Sequence, residues 1–116
     1  MTRRARVDVA LLAFAALTLP NASATQSPIG QGEDGNDTGK RVFTQAAQPA
    51  CSVCHTLADA GATGKIGPNL DEMRPSAEQV MRAVRQGIGA MPAFEDTLSK
   101  AQIEAVARYV ERAASH

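Results

Sequence analysis

Two cysteines three positions apart, with a histidine directly after the second, constrain this chain more than any other feature: Cys51-Ser52-Val53-Cys54-His55. The spacing C-x-x-C-H reads as an attachment site for c-type haem. Cys51 and Cys54 can each capture a vinyl group as a thioether. His55 is then delivered beneath the iron as an axial ligand. A fold that carries this motif has to close around a large, flat, apolar body. Such a body suits a chain with one tyrosine, three phenylalanines and no tryptophan, whose side chains alone build a thin core. At 116 residues there is room for one small domain.

The N-terminal segment reads as an export signal. Arg3, Arg4 and Arg6 form a basic region ahead of the apolar run VALLAFAALTL, from Val9 to Leu19. Pro20 breaks that run, and Ala22-Ser23-Ala24 is an A-x-A cleavage site. Eleven apolar residues span roughly 16 Å as a helix, about half of a bilayer core, too little for a stable membrane span. We therefore expect residues 1–24 to be a signal peptide, residues 25–37 a flexible linker, and residues 38–116 the folded domain, located in the periplasm. The linker stretch TQSPIGQGEDGND is polar and glycine-rich. Without the signal peptide, nine basic and eleven acidic residues remain, with no basic stripe or aromatic platform for nucleic acid.

No segment alternates with the period of a strand, so the domain is expected to be all-α, with about three main helices. The first begins near Asp37 or Thr38, carries Val42 and Phe43, and ends before Pro49. The second opens on a capping box, Ser76 with Gln79, and buries Ala77, Val80, Met81 and Val84 on one face. Gly87 ends it as a left-handed residue. The third repeats the pattern with Ser99 and Gln102, and with Leu98 and Ile103 as a hydrophobic staple. Its buried stripe is Ile103, Val106, Ala107 and Val110, while Arg108, Glu111 and Arg112 face water.

The sixth position of the iron needs a second ligand. His116 ends the sequence given, where fraying is the rule. Met81 falls on an apolar helix face, and Met73 follows closely on the first loop. Met91 lies in Gly89-Ala90-Met91-Pro92-Ala93-Phe94, where small residues let a loop approach the iron closely. Among these candidates Met91 is favoured. A soft thioether raises the reduction potential relative to two histidines. With both axial positions filled, and no distal histidine or arginine in view to activate a bound gas, outer-sphere transfer of single electrons is expected.

From Gly39 to Ala113 the chain resembles a small bacterial class I c-type cytochrome. The matching features, in order, are Gly39-x-x-Val42-Phe43, Cys51-x-x-Cys54-His55, Gly67-Pro68-Asn69-Leu70, Met91-Pro92-Ala93-Phe94 and the final helix around Tyr109. The resemblance implies a cytochrome c fold around one covalent haem c. It also implies that the Pro68 carbonyl accepts a hydrogen bond from the His55 ring. Gly39 and Phe43 would cross the last helix near Tyr109. Leu70, Val84, Ile88, Phe94 and Leu98 would pack on the haem. Thr44 to Ala50 make a longer link to Cys51 than the family uses, leaving the register of the first helix open.

The runs Cys54-His55-Thr56-Leu57 and Gly67-Pro68-Asn69-Leu70-Asp71-Glu72 look most like the small cytochromes that accept electrons from bacterial sulfite dehydrogenases. The implied partners are a donor dehydrogenase, for sulfite or another substrate, and an acceptor such as a terminal oxidase. The alternative is a permanent cytochrome subunit of a periplasmic oxidoreductase. Three other readings of the cysteines are a thioredoxin-like redox pair, a zinc site and a plain disulfide. The first needs a βαβ fold and the second lacks a fourth ligand. With lysine only at positions 40, 65 and 100, docking is expected to use an apolar patch near Ala60 to Ile66, Ile88 and Ala90.

Overall fold

The computed structural model describes residues 33–116. The expected signal peptide and most of the expected linker lie outside the described residues. Along the chain run α1 (Glu33–Arg41), a π-helical turn (Val42–Ala46), α2 (Cys51–Cys54), β1 (Thr56–Leu57), a 3-10 turn (Ala58–Ala60), β2 (Ala62–Thr63), α3 (Leu70–Met73), α4 (Ala77–Gln86) and α5 (Lys100–Ala113). Helices α1, α4 and α5 are the three long ones, as expected, and α5 packs against both others.

Helix α1 starts at Glu33, inside the stretch read as a flexible linker, rather than at Asp37 or Thr38. Its sequence, EDGNDTGKR, has no apolar stripe to announce a helix. Tertiary contact supplies what propensity lacks. A Cβ on Gly39 would collide with the Ala105 carbonyl and the Tyr109 Cβ, so α1 and α5 cross with almost nothing between their backbones. Arg112 donates to the Asn36 amide oxygen at 3.1 Å along the same contact. Phe43 then meets Tyr109 edge-on, with centroids 6.1 Å apart. Of the longer link before Cys51, Thr44 to Ala46 lie in the π-helical turn, which closes with Ala47 N–H donating to Val42 O at 3.2 Å, and Ala47 to Ala50 lead from it into α2.

Both expected capping boxes are formed. Ser76 accepts from Gln79 N–H, and Ser99 accepts from Gln102 N–H, each at 3.2 Å. Each glutamine side chain returns the bond to its serine's backbone N–H, at 2.9 and 2.8 Å. Glu111 does more than face water: it accepts from Ala77 N–H at 3.0 Å and ties the start of α4 to α5. The core joins Val42, Phe43 and Leu57 to Leu98, Ile103, Val106, Tyr109 and Val110. Among the described residues the helices are interrupted by β1 paired antiparallel with β2, two residues each, with Thr56 opposite Thr63, and by an isolated bridge between Ile88 and Met91. The β1–β2 pair folds the segment after His55 back on itself.

Candidate functional site: an apolar cavity around the paired cysteines

Helix α2 is a single turn whose last hydrogen bond runs from His55 N–H to Cys51 O at 3.0 Å. That turn brings Cys51, Cys54 and His55 together in the lining of a cavity of about 600 Å³. Cofactor sites span about 300–1,000 Å³, so the space suits one large ligand. Three segments shape its walls.

The first wall is the loop after β2. Thr56 Oγ1 donates to Gly64 O at 2.9 Å, and Gly67 N–H donates to Cys54 O at 2.8 Å. A Cβ on Gly64 would lie 2.5 Å from Val53 O, and one on Gly67 would lie 2.5 Å from Cε1 of His55. The loop therefore lies flat on the C-x-x-C-H turn and on the imidazole face, which only glycine permits at these two points. His55 Nδ1–H donates to Pro68 O at 2.9 Å. Nδ1 is thereby committed as a donor, which leaves Nε2 as the nitrogen with a free lone pair.

The second wall is the turn after α4. Gly87 has φ 71° and ψ 163°, an extended left-handed conformation open to glycine rather than the compact helix-ending one expected. A Cβ there would lie 2.6 Å from Met91 O. Ile88 and Met91 exchange backbone hydrogen bonds, at 3.1 and 2.9 Å, across Gly89 (φ 56°) and Ala90. Phe94 N–H donates to Val84 O at 2.8 Å and pins the loop to the end of α4. Met91 thus projects from a tightly closed turn.

The third wall is α3 with α4. Asn69 caps α3 by accepting from Asp71 N–H at 3.0 Å, and Asp71 in turn accepts from Ala58 N–H at 2.9 Å. Leu70 is buried as a result. Arg74, at φ 48°, ends α3 in the left-handed region just ahead of buried Pro75.

Cys51, Cys54, His55 and Met91 line this one cavity, as do Pro68, Leu70, Ile88 and Phe94. Val84 joins them. Leu98 does not: it is buried in the core, its N–H donating to Phe94 O at 2.9 Å. Of the competing methionines, Met81 is not among the lining residues, whereas Met73 is, with 56% of its surface exposed. His116 is exposed and outside the site. Sequence reasoning missed Arg82, which lines the rim and ion-pairs with Glu78 at 2.7 Å. It also placed no role on Gly64, and none on Gly67 beyond its motif.

The residues fit a haem. Cysteines and a histidine with one committed nitrogen line a cavity whose other walls are mostly apolar. The same facts weigh against the rival readings. Burial pushes the Cys51 thiol up to about 11, the reverse of what an attacking thiolate needs. Both cysteines are free, and no cluster of His, Cys, Asp and Glu suited to a metal ion occurs among the described residues.

Comparison with known proteins agrees. The family model described as cytochrome c oxidase, cbb3-type, subunit III matches residues 34–110. Cytochrome c6 of Microcystis aeruginosa is 39% identical over 64 residues, covering 52% of this chain and 79% of that protein. The crystal structure of the c-type cytochrome SorU from Sinorhizobium meliloti is 52% identical in sequence, with a TM-score of 0.68 over 71% of this chain and 93% of SorU. With the cavity built around Cys51 and Cys54, these matches place the chain in the family described as cytochrome c oxidase, cbb3-type, subunit III: it is a small class I c-type cytochrome, an electron-transfer protein that carries covalent haem c.

Proposed function

We propose that the chain is an exported, periplasmic one-electron carrier whose iron is held by His55 and Met91. It takes electrons from a periplasmic dehydrogenase and passes them to a downstream acceptor or terminal oxidase. Haem c, when bound, supplies an iron that cycles between ferrous and ferric states. The chain's residues fix how that iron behaves. The observation that carries the reading is the pairing of His55, its Nδ1 bonded to Pro68, with Met91 on a closed turn of the same apolar cavity. The Pro68 carbonyl fixes the imidazole plane and raises its basicity as a ligand. Gly87, Gly89 and the Phe94–Val84 bond hold the Met91 turn in one conformation.

Met91→Ala tests the ligand pair. It should abolish the weak near-infrared band of sulfur-to-ferric charge transfer and lower the reduction potential. If the band persists in Met91→Ala and disappears in Met73→Ala, the assignment of Met91 is wrong.

For the donor, sulfite dehydrogenase is the first candidate, on the resemblance of the Cys54–Leu57 and Gly67–Glu72 runs. Docking is proposed at the cavity mouth, where Ile66 and Ile88 are 73% and 68% exposed. The patch expected from sequence is narrower than Ala60 to Ile66, since Ala62 is buried. Ile88→Glu should slow reduction by the donor enzyme without moving the potential. An unchanged rate would remove Ile88 from the docking face. No helix among the described residues is long and apolar enough to cross a membrane.

A further inference from the structure

One strip of the cavity departs from its apolar character. Apart from His55, the polar and charged side chains lining it among the described residues are Gln79, Arg82 and Gln86. All three lie on α4 at spacings of three and four residues, hence on one stripe of the helix. Beside that stripe, Val80, Ala83 and Val84 face the apolar interior. Among the described residues Arg82 is the one arginine or lysine in the lining, and it is exposed at the rim. Its Nη1 donates to Glu78 Oε1 at 2.7 Å.

A haem is apolar around most of its edge and carries two carboxylates on the side away from its vinyl groups. Cys51 and Cys54 hold the vinyl side. The carboxylates then need a polar rim with a positive charge, and the structure offers one such strip. We propose that Gln79, Arg82 and Gln86 form the carboxylate subsite of the haem, and that the Glu78–Arg82 pair sets the net charge the iron feels from that side. Guanidinium is suited to a carboxylate, since its planar fork donates two parallel hydrogen bonds. Glu78 holds the guanidinium at the rim and offsets part of its charge. An uncompensated cation near the iron favours the ferrous state. A cation matched by Glu78 favours it less.

The inference rests on haem being bound and is independent of which residue fills the sixth position. It predicts shifts of opposite sign from two neighbouring substitutions on one helix. In equilibrium redox titrations of the haem-loaded full chain, Arg82→Gln lowers the midpoint potential and Glu78→Gln raises it. Arg82→Lys stays close to the parent. Arg85→Gln removes the same charge three residues further on, outside the lining, and moves the potential less than Arg82→Gln. In resonance Raman spectra the bending mode of the haem carboxylates shifts in Arg82→Gln and not in Arg85→Gln. The near-infrared sulfur band is recorded in every variant, so that a lost sixth ligand is told apart from a lost counter-charge. Equal shifts in Arg82→Gln and Arg85→Gln, or shifts of the same sign in Arg82→Gln and Glu78→Gln, overturn the proposal.

Discussion

At the scale of single residues, Asp59 is where three parts of the chain meet. Its carboxylate accepts from the Tyr109 hydroxyl at 2.6 Å, and Lys40 donates to its backbone carbonyl at 2.6 Å. Lys40 also lies 3.4 Å from the carboxylate, but both side chains are nearly half exposed, so the ion pair itself adds little. The Tyr109 bond, aided by Lys40, holds the Asp59 carboxyl below its ordinary value of 3.8 against a smaller opposing effect of burial. Burial, and then Asp59, raise the Tyr109 phenol well above its ordinary value of 10.0. A depressed carboxyl favours the folded state above its unfolded pKa, and that contribution is lost as pH falls through the lower folded value. A raised phenol acts in the opposite range: its contribution is complete below about pH 10 and is lost as pH climbs beyond. Tyr109→Phe should therefore cost about 1 kcal/mol at pH 7 by urea denaturation, within the range of one hydrogen bond. The gap between variant and parent should narrow below about pH 4. A gap that does not change with pH would mean that the hydroxyl does not act through Asp59. No sequence pattern announces this contact, because 50 positions separate its partners.

At the scale of elements, the turn between α4 and Phe94 is the most demanding piece of backbone at the site. Gly87→Ala would put a methyl group 2.6 Å from Met91 O and force φ 71° on a residue with a Cβ. The cost should be about 1–3 kcal/mol. More tellingly, the near-infrared sulfur band should weaken in the folded variant. Loss of stability with the band intact would show that the turn gives way elsewhere. Gly39→Ala acts where α1 crosses α5 and should destabilise by about 1–3 kcal/mol in urea, leaving the band unchanged. What could be read from sequence at this scale is what local chemistry specifies. The Ser76 and Ser99 boxes, the α4 and α5 stripes, and the C-x-x-C-H turn all depend on residues within a few positions of each other. Helix α1 from Glu33 to Arg41 was not legible in its first turn, because its stability comes from α5 and not from its own polar residues. The β1–β2 pair is two residues long and too short to show alternation. Gly87 was found for the right reason, a positive φ, but ψ follows from the loop it must clear.

At the scale of the whole molecule, all the residues named for the site except Leu98 line one cavity, although Cys51 and Phe94 lie far apart in sequence. Motif order carried that information. Distances to the rim did not follow from it, which is why Arg82 went unnoticed: an arginine on a helix with a glutamate four residues before it reads as an ordinary exposed pair. Core residues Phe43, Leu70, Val84, Phe94, Val106 and Val110 line the cavity, so a small domain of this size is predicted to depend on its cofactor for stability. A Cys51→Ala/Cys54→Ala chain, unable to form either thioether, should lose much of its far-ultraviolet helical signal and unfold without a sharp transition. A cooperative transition at the parent's midpoint would contradict that dependence. The central claim is a covalent haem whose iron is closed on both sides by the chain, and the absorption spectrum of the reduced protein under carbon monoxide at neutral pH tests it most directly. The account predicts sharp bands that survive acid-acetone extraction and do not change when the gas is added. A colourless protein, or one whose bands shift promptly as carbon monoxide binds, would contradict it.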